Sequence, residues 1–207
     1  MPNVNVKNDY NSMSKLAQEI RDEGKLINNS LITAYNEVKS MYDASEWRGI
    51  SYNELVGDFQ KISPDLEEIL KIVVQNVPYA LETVANNYSV ADSGSKVKPA
   101  VNEPPKKLPT LILGQTKYMQ YEEGKIATRA DKICKELDSV INRIDSIDAK
   151  FGKIQWEGIA ADAFKVKFKN LKNKTKSALE SIRKQFKQII DTRKENMRRT
   201  EKANTAN

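Results

Sequence analysis

Histidine is absent from the 207 residues, and cysteine occurs once. Without histidine the chain lacks the usual general base at neutral pH. It also lacks the Ser-His and Cys-His nucleophile pairs and the commonest metal ligand. Carboxylate and lysine chemistry remain, so enzymes are disfavoured rather than excluded. The expectation is a protein that is not an enzyme and that carries no cofactor, no metal and no small-molecule substrate. A single cysteine forms no internal disulfide and no cysteine metal cluster. Cys134 stands between Ile133 and Leu137 in an apolar-periodic stretch, which predicts a buried structural thiol. Glycine and proline are scarce, at eight and seven residues, so long stretches run without helix breakers. No run of about 18 apolar residues exists to span a membrane. The polar opening MPNVNVKNDY has no apolar core of the signal-peptide kind. Composition therefore predicts a soluble chain, cytosolic at synthesis.

What is present is charge and a helical apolar period. Charged residues make up 30% of the chain and apolar residues 39%, a balance that suits long amphipathic helices around a narrow seam. Leu16, Ile20, Ile27, Leu31, Tyr35, Val38 and Tyr42 recur at spacings of three, four or seven, predicting a helix over 11–42. Leu55, Phe59, Ile62, Leu66, Leu70, Val73, Val77, Leu81 and Val84 predict a second over 51–88. Two prolines fall inside it. Pro64 follows Ser63, which suits the start of a fresh helical turn. Pro78 should kink or interrupt the helix. Two further helices are predicted over 113–149 and 159–202.

Between these pairs lies SGSKVKPAVNEPPKKLPT, with four of the seven prolines: Pro99, Pro104, Pro105 and Pro109. Proline offers no amide donor and disfavours helix in the residue before it. The stretch reads as an extended, semi-rigid linker over 93–110, separating a hairpin over 1–92 from one over 111–207. The flanking halves align without gaps at an offset of 109. Trp47-Arg48-Gly49 meets Trp156-Glu157-Gly158. Ile50 meets Ile159, Leu55 Phe164, Phe59 Phe168, Val73 Ile182, Val77 Phe186, Leu31 Val140 and Val38 Ile147. Agreement across two helices and the turn between them indicates an internal duplication. The fold class is all-α: two antiparallel helical hairpins in tandem, packing as a four-helix bundle. Trp47 and Trp156 are expected to plug the hairpin corners, each with an indole donor reaching a carbonyl, while Gly49 and Gly158 supply backbone freedom at the reversal.

Halves of about one hundred residues, each with two helices and a central Trp-x-Gly, resemble the small WXG-type (Esx-like) proteins of type VII secretion in Gram-positive bacteria. The resemblance covers nearly the whole chain, once per half. It implies helical hairpins that pair as a four-helix bundle, here fused into one polypeptide, with further oligomerisation open. It also implies export without a cleaved signal peptide, to the exterior or the cell envelope. Action would be as substrate, carrier or helper, with the export machinery and a secreted effector as partners. The family's export signal, Tyr-x-x-x-Asp/Glu after the second helix of a hairpin, matches Tyr88-Ser-Val-Ala-Asp92. The spacing places Tyr88 and Asp92 on one helix face. The equivalent place in the second half holds Met197 and Glu201, without the tyrosine.

Charge divides the halves. Residues 1–107 hold 12 Lys/Arg and 15 Asp/Glu, whereas residues 108–207 hold 22 and 13, so the halves should attract each other. From Lys165 to Lys202 there are 14 basic and four acidic residues, on a helix whose other side is apolar. A solvated basic face is the favoured reading, with an acidic protein partner second. Nucleic acid and membrane come last, because no zinc finger, RNA-binding signature or phosphate loop accompanies the charge. The alternative to an export role is an intracellular helical scaffold, or a DNA-binding protein using this basic helix.

Overall fold

Long runs free of glycine and proline, with an apolar residue every third or fourth position, leave the backbone little choice but helix. The computed structural model describes residues 10–115, 117, 119–153 and 159–205, without the side chains of residues 92, 153, 159–161, 164 and 200–205. Helix α1 spans Tyr10–Asp43 and α2 spans Ile50–Leu70. A six-residue π-helical turn, Lys71–Asn76, leads into α3, Val77–Ser93. Helix α4 spans Glu123–Lys153 and α5 spans Ile159–Thr205. Two residue pairs form a short antiparallel ribbon between β1, Trp47–Arg48, and β2, Gln120–Tyr121. The architecture is all-α. Helix α1 packs against α4 and α3, α4 against α5, and α5 against α2. The two hairpins thus close into a four-helix bundle. No helix among the described residues is long and apolar enough to cross a membrane.

The seam is the one the apolar period predicts. Ile20, Ile27, Leu31, Tyr35 and Val38 of α1 are buried, as are Phe59, Leu66 and Leu70 of α2. Five of the aligned pairs agree in burial. Leu31 and Val140, Val38 and Ile147, Phe59 and Phe168, Val73 and Ile182, and Val77 and Phe186 all lie inside. Phe59 meets Phe186 edge-to-face across the hairpins at 6.4 Å, and Phe151 meets Phe168 within the second at 4.7 Å. Cys134 is buried, with its thiol 3.7 Å from the Arg183 carbonyl, and burial pushes that thiol upward.

Only Pro64 departs from the expectation. Pro64 starts no new turn, because α2 runs through it unbroken. Hydroxyl donors crowd the turn beside it. Ser63 donates to the Phe59 carbonyl at 2.8 Å, and Tyr35 reaches the same oxygen at 3.3 Å. At Pro78 the disturbance is real and moves upstream, into the π-helical turn. Widening the helix there buries Ile72, Val73 and Val74 in succession, which a regular α-helix on a flat seam would not do. Helix α1 meets this swollen turn with Gly24. A Cβ at that position would lie 2.8 Å from Val73 and 2.9 Å from Val74 side-chain carbons.

The proline-rich segment does not cross a bundle end. It runs back along the first hairpin as an extended strap. Asn86 holds Lys98, Glu82 and Arg21 hold Val101, Asn28 holds Lys106, Gln60 holds Leu111 and Asn53 holds Gly114. Leu108 and Leu111 of the strap are buried. The expected helical start at Leu113 is therefore wrong. Residues 113–115 belong to the strap, Gln120 and Tyr121 pair with the corner, and α4 begins only at Glu123. Side chains of the first hairpin take the backbone bonds that a helix would have used.

Gly24→Leu should lower unfolding stability by about 2 kcal/mol, since overpacking at the π-helical turn outweighs the better helix propensity. Urea midpoints by circular dichroism measure it.

Candidate recognition site at the Trp47 corner and the Tyr88 helix end

Helix α1 ends by sequence chemistry rather than by a breaker. Ser45 takes the left-handed conformation, with φ of 55°. Its amide bonds to Tyr42 at 2.9 Å, and the Glu46 amide bonds to Met41 at 2.8 Å. This is the Schellman pattern, with serine in the place that glycine usually takes. The chain then extends through β1 and turns into α2 at Gly49, whose φ of 121° strains any other residue.

Trp47 is a plug, only 5% exposed. Its ring packs edge-to-face on Tyr52 at 6.0 Å and on Tyr121 at 5.8 Å. Its indole N–H does not reach a carbonyl as expected. It donates to the Ser51 hydroxyl in the first turn of α2, at 3.1 Å. Trp47 pairs with Tyr121 in the ribbon, and the Glu122 amide donates to the Glu46 carbonyl at 2.8 Å. The corner therefore joins both hairpins. Around it Ile50, Met119 and Tyr121 are exposed, Met119 by 90%. A partner at this end would meet these side chains and not the tryptophan.

Glu46 is 5% exposed, and its carboxylate receives Arg129 of α4 through Nε at 2.5 Å and Nη2 at 3.1 Å. The same guanidinium reaches Glu37 of α1 at 2.7 Å, and Lys132 joins Glu37 at 2.5 Å. These groups line a 420 Å³ hollow with Gly124, Lys125 and Thr128. Hydrogen bonding from Arg129 holds the Glu46 carboxyl below the usual range, against the opposing effect of burial. Burial pushes Glu37 up, but bonds from Lys132 and Arg129 outweigh it and the net direction is down. The hollow's charges are already matched to one another, so it functions as a lock and offers no vacant charge for a ligand. Among the described residues no three His, Cys, Asp or Glu side chains gather as a metal site.

The lock belongs to a pattern. Arg143 pairs with Glu23, Lys150 with Glu19, Lys167 with Glu68 and Lys174 with Asp65. In each of these, as in the three Arg129 and Lys132 pairs, the second hairpin supplies the cation and the first the anion. Within the second hairpin, Lys172 and Lys176 meet Asp148 and Asp145, Arg183 meets Asp138 and Arg193 meets Glu123. Many cations of α5 thus serve helix pairing. The face is less of a bare solvated stripe than the charge count implies.

Tyr88 lies on α3 near its end and is 40% exposed. It is a surface residue and not a last core residue. Tyr79 and Val90 on the same helix are 40% and 43% exposed. Asp92 is one helical turn further along the α3 backbone, and its side chain is outside the described residues. Helix α3 closes at Gly94, whose amide bonds to the Val90 carbonyl at 2.9 Å. The Tyr88 end and the Trp47 corner stand at opposite ends of the first hairpin. Trp156 and Gly158, expected at the second corner, lie outside the described residues.

Sequence reasoning missed Arg129, the β1–β2 ribbon and the strap clamps. Only the clamps left a signal. Arg21 and Asn28 sit seven apart on the apolar face of α1, and Glu82 and Asn86 four apart on α3, each polar where the period asks for an apolar residue.

The carboxylates of Glu46 and Glu37 are lowered in the folded chain. Their stabilisation is full above the unfolded carboxylate range and is lost as pH falls through the lowered folded values. Urea midpoints should therefore drop between pH 7 and pH 3.5. Glu46→Gln should already be weaker at pH 7, by about 1–3 kcal/mol, and show a shallower pH dependence. Comparison with protein-family models, with curated proteins and with solved structures gave no match.

Proposed function

We propose that this chain is a tandem WXG-type (Esx-like) protein of type VII secretion, acting through helical protein–protein contact as substrate, carrier or helper. The observation that carries the reading is the Trp47-Arg48-Gly49 corner. It stands at the reversal of a long helical hairpin, pairs with a second hairpin in the same chain, and leaves Tyr88 exposed at the hairpin's far end. In this reading the paired hairpins are a rigid display. Trp47 and Gly49 fix the corner from within. The exposed residues beside them, and the Tyr88/Asp92 helix end, are the surfaces that an export motor or a cargo meets. The protein is then made in the cytoplasm and released to the exterior or the cell envelope.

The basic helix α5 gives less support to a nucleic-acid reading than its composition did. Lys167, Lys174, Lys172, Lys176, Arg183 and Arg193 face carboxylates of α2 or α4 in the folded chain. Cations already paired release fewer counterions on meeting phosphate, so affinity from that source is small.

Export is tested by immunodetection in culture supernatant, in the native host and in a strain lacking the export motor. The protein should be in the supernatant of the first and absent from that of the second. Tyr88→Ala combined with Asp92→Ala should retain the chain inside cells at least about tenfold over wild type, while its melting transition stays near wild type, as expected for surface substitutions. Wild-type export of that variant would sink the signal assignment.

A further inference from the structure

The strap is held by its main chain. The amides of Val97, Lys98, Val101, Lys106 and Gly114 donate to carboxamide or carboxylate oxygens of the first hairpin. The carbonyls of Lys98, Val101, Lys106 and Gly114 accept in return, from Asn86, Arg21, Asn28 and Asn53. At Lys106 and Gly114 a single asparagine does both, with all four distances between 2.8 and 3.0 Å. This is the paired donor and acceptor that a neighbouring strand would give, supplied here by side chains. Pro99, Pro104, Pro105 and Pro109 fall between the clamped positions, where no amide bond is required. Strap side chains add buried Leu108 and Leu111, Lys98 at 3.7 Å from Glu82, and two contacts at the surface, Asn102 with Gln75 and Glu103 with Lys25, while Val101 is 39% exposed. At the centre the Arg21 and Glu82 side chains are 2% and 0% exposed, an ion pair aimed at an extended chain.

We infer that the groove between α1 and α2/α3 is a binding site for extended, proline-bearing polypeptide, filled in cis by the strap and open to the strap of a second copy of this chain. The seated ligand is itself the argument for that occupant, since its prolines match the register of the clamps. Main-chain reading makes the site strict about amides at the clamped positions. The residues at positions 98, 101, 106 and 114 must keep their N–H groups. In the intact chain the resident strap wins by effective concentration, on the order of mM for a short tether. Exchange therefore becomes visible once the resident strap is weakened. The inference is independent of the export reading.

The acceptor is the full chain carrying Val101→Pro and Lys106→Pro, which removes two strap donors and leaves the groove intact. The probe is a fluorescent peptide of residues 95–115 with the native sequence. The peptide should bind the acceptor one to one and should not bind wild type at the same concentration. Adding Asn28→Leu to the acceptor should weaken binding at least about tenfold, the consequence of losing two groove bonds. A peptide bearing Val101→Pro and Lys106→Pro should not bind. Mixing the acceptor with a full-length donor, Asn28→Leu with Asn86→Leu and a native strap, should give a mixed dimer by light scattering. Failure of a helical acceptor to bind the native peptide, or equal binding of both peptides, overturns the site. A mixture that stays monomeric overturns the second copy as occupant. If the double variant loses its helical signal, the single Lys106→Pro chain takes its place and the same outcomes are read.

Discussion

The ion pair between Arg21 and Glu82 is the constraint on which the first hairpin depends. Both side chains are withdrawn from water, and removing charges from water costs several kcal/mol per ion even after relaxation. The cost is offset only when the remaining lone pairs and N–H groups are used. Two bonds of 2.7 Å link the guanidinium to the carboxylate. More of the requirement is met from outside the helices. Arg21 donates to the Val101 carbonyl at 3.0 Å, and Glu82 accepts the Val101 amide at 2.8 Å. Lys98 adds a cation at 3.7 Å from the carboxylate. The helices alone would leave this pair half satisfied. The strap supplies both a donor and an acceptor to it, leaving the buried Arg21 Nε as the one guanidinium nitrogen without a bond, and the proline-rich segment is therefore part of the fold and not a tether between two folds.

A second constraint sets how the hairpins meet. An apolar seam is tolerant of rotation and slip, because Leu, Ile and Val pack acceptably in more than one register. Ion pairs between exposed groups add little to stability, about 0–1 kcal/mol each. They act instead by favouring the mixed pairing of the two hairpins, since pairing either hairpin with another of its own kind would bring like charges together. Seven pairs with the cation always on the second hairpin do this along the whole length, from Lys150 and Glu19 to Arg129 and Glu46. The last of these is buried enough to contribute to stability as well. It ties the Trp47 corner to α4, and with the Glu46–Glu122 backbone bond it holds the corner and the start of the second hairpin as one unit.

The helices were legible because their signal is local and repeated. An apolar residue every three or four positions needs no knowledge of what lies opposite. The offset of 109 was legible for the same reason, and it located equivalent core positions correctly at Phe59 and Phe168 or Val77 and Phe186. What stayed hidden depends on residues far apart in the chain. Arg129 is 83 residues from Glu46, and Asn28 is 78 from Lys106, so neither spacing carries a local pattern. The non-helical course of residues 113–115 and the pairing of residues 120–121 were hidden behind apolar Leu113 and Tyr121, which fit a helical phase as well as an extended one. Even the Trp-x-Gly reading was only half available. Its geometry followed from residue type, whereas the surface it presents depends on Met119 and Tyr121, from the other side of the strap.

The places where the halves part company belong to one device. At the offset of 109, Arg21 becomes Ala130, Gly24 becomes Ile133 and Asn28 becomes Leu137, all three buried in α4. On the partner helix Pro78 becomes Lys187, Glu82 becomes Asp191 and Asn86 becomes Glu195, all exposed on α5. These six positions supply the clamps, the close approach and the proline behind the π-helical turn in the first hairpin. In the second they give a dry apolar seam and an uninterrupted helix. Each set is self-consistent, and mixing them would fail. Arg21 opposite an aspartate with no strap would leave buried donors unmet, and Ile133 at the Gly24 position would collide with Val73 and Val74. The duplicated core explains why the halves pair. The divergence at these six positions explains why only one of them binds an extended chain.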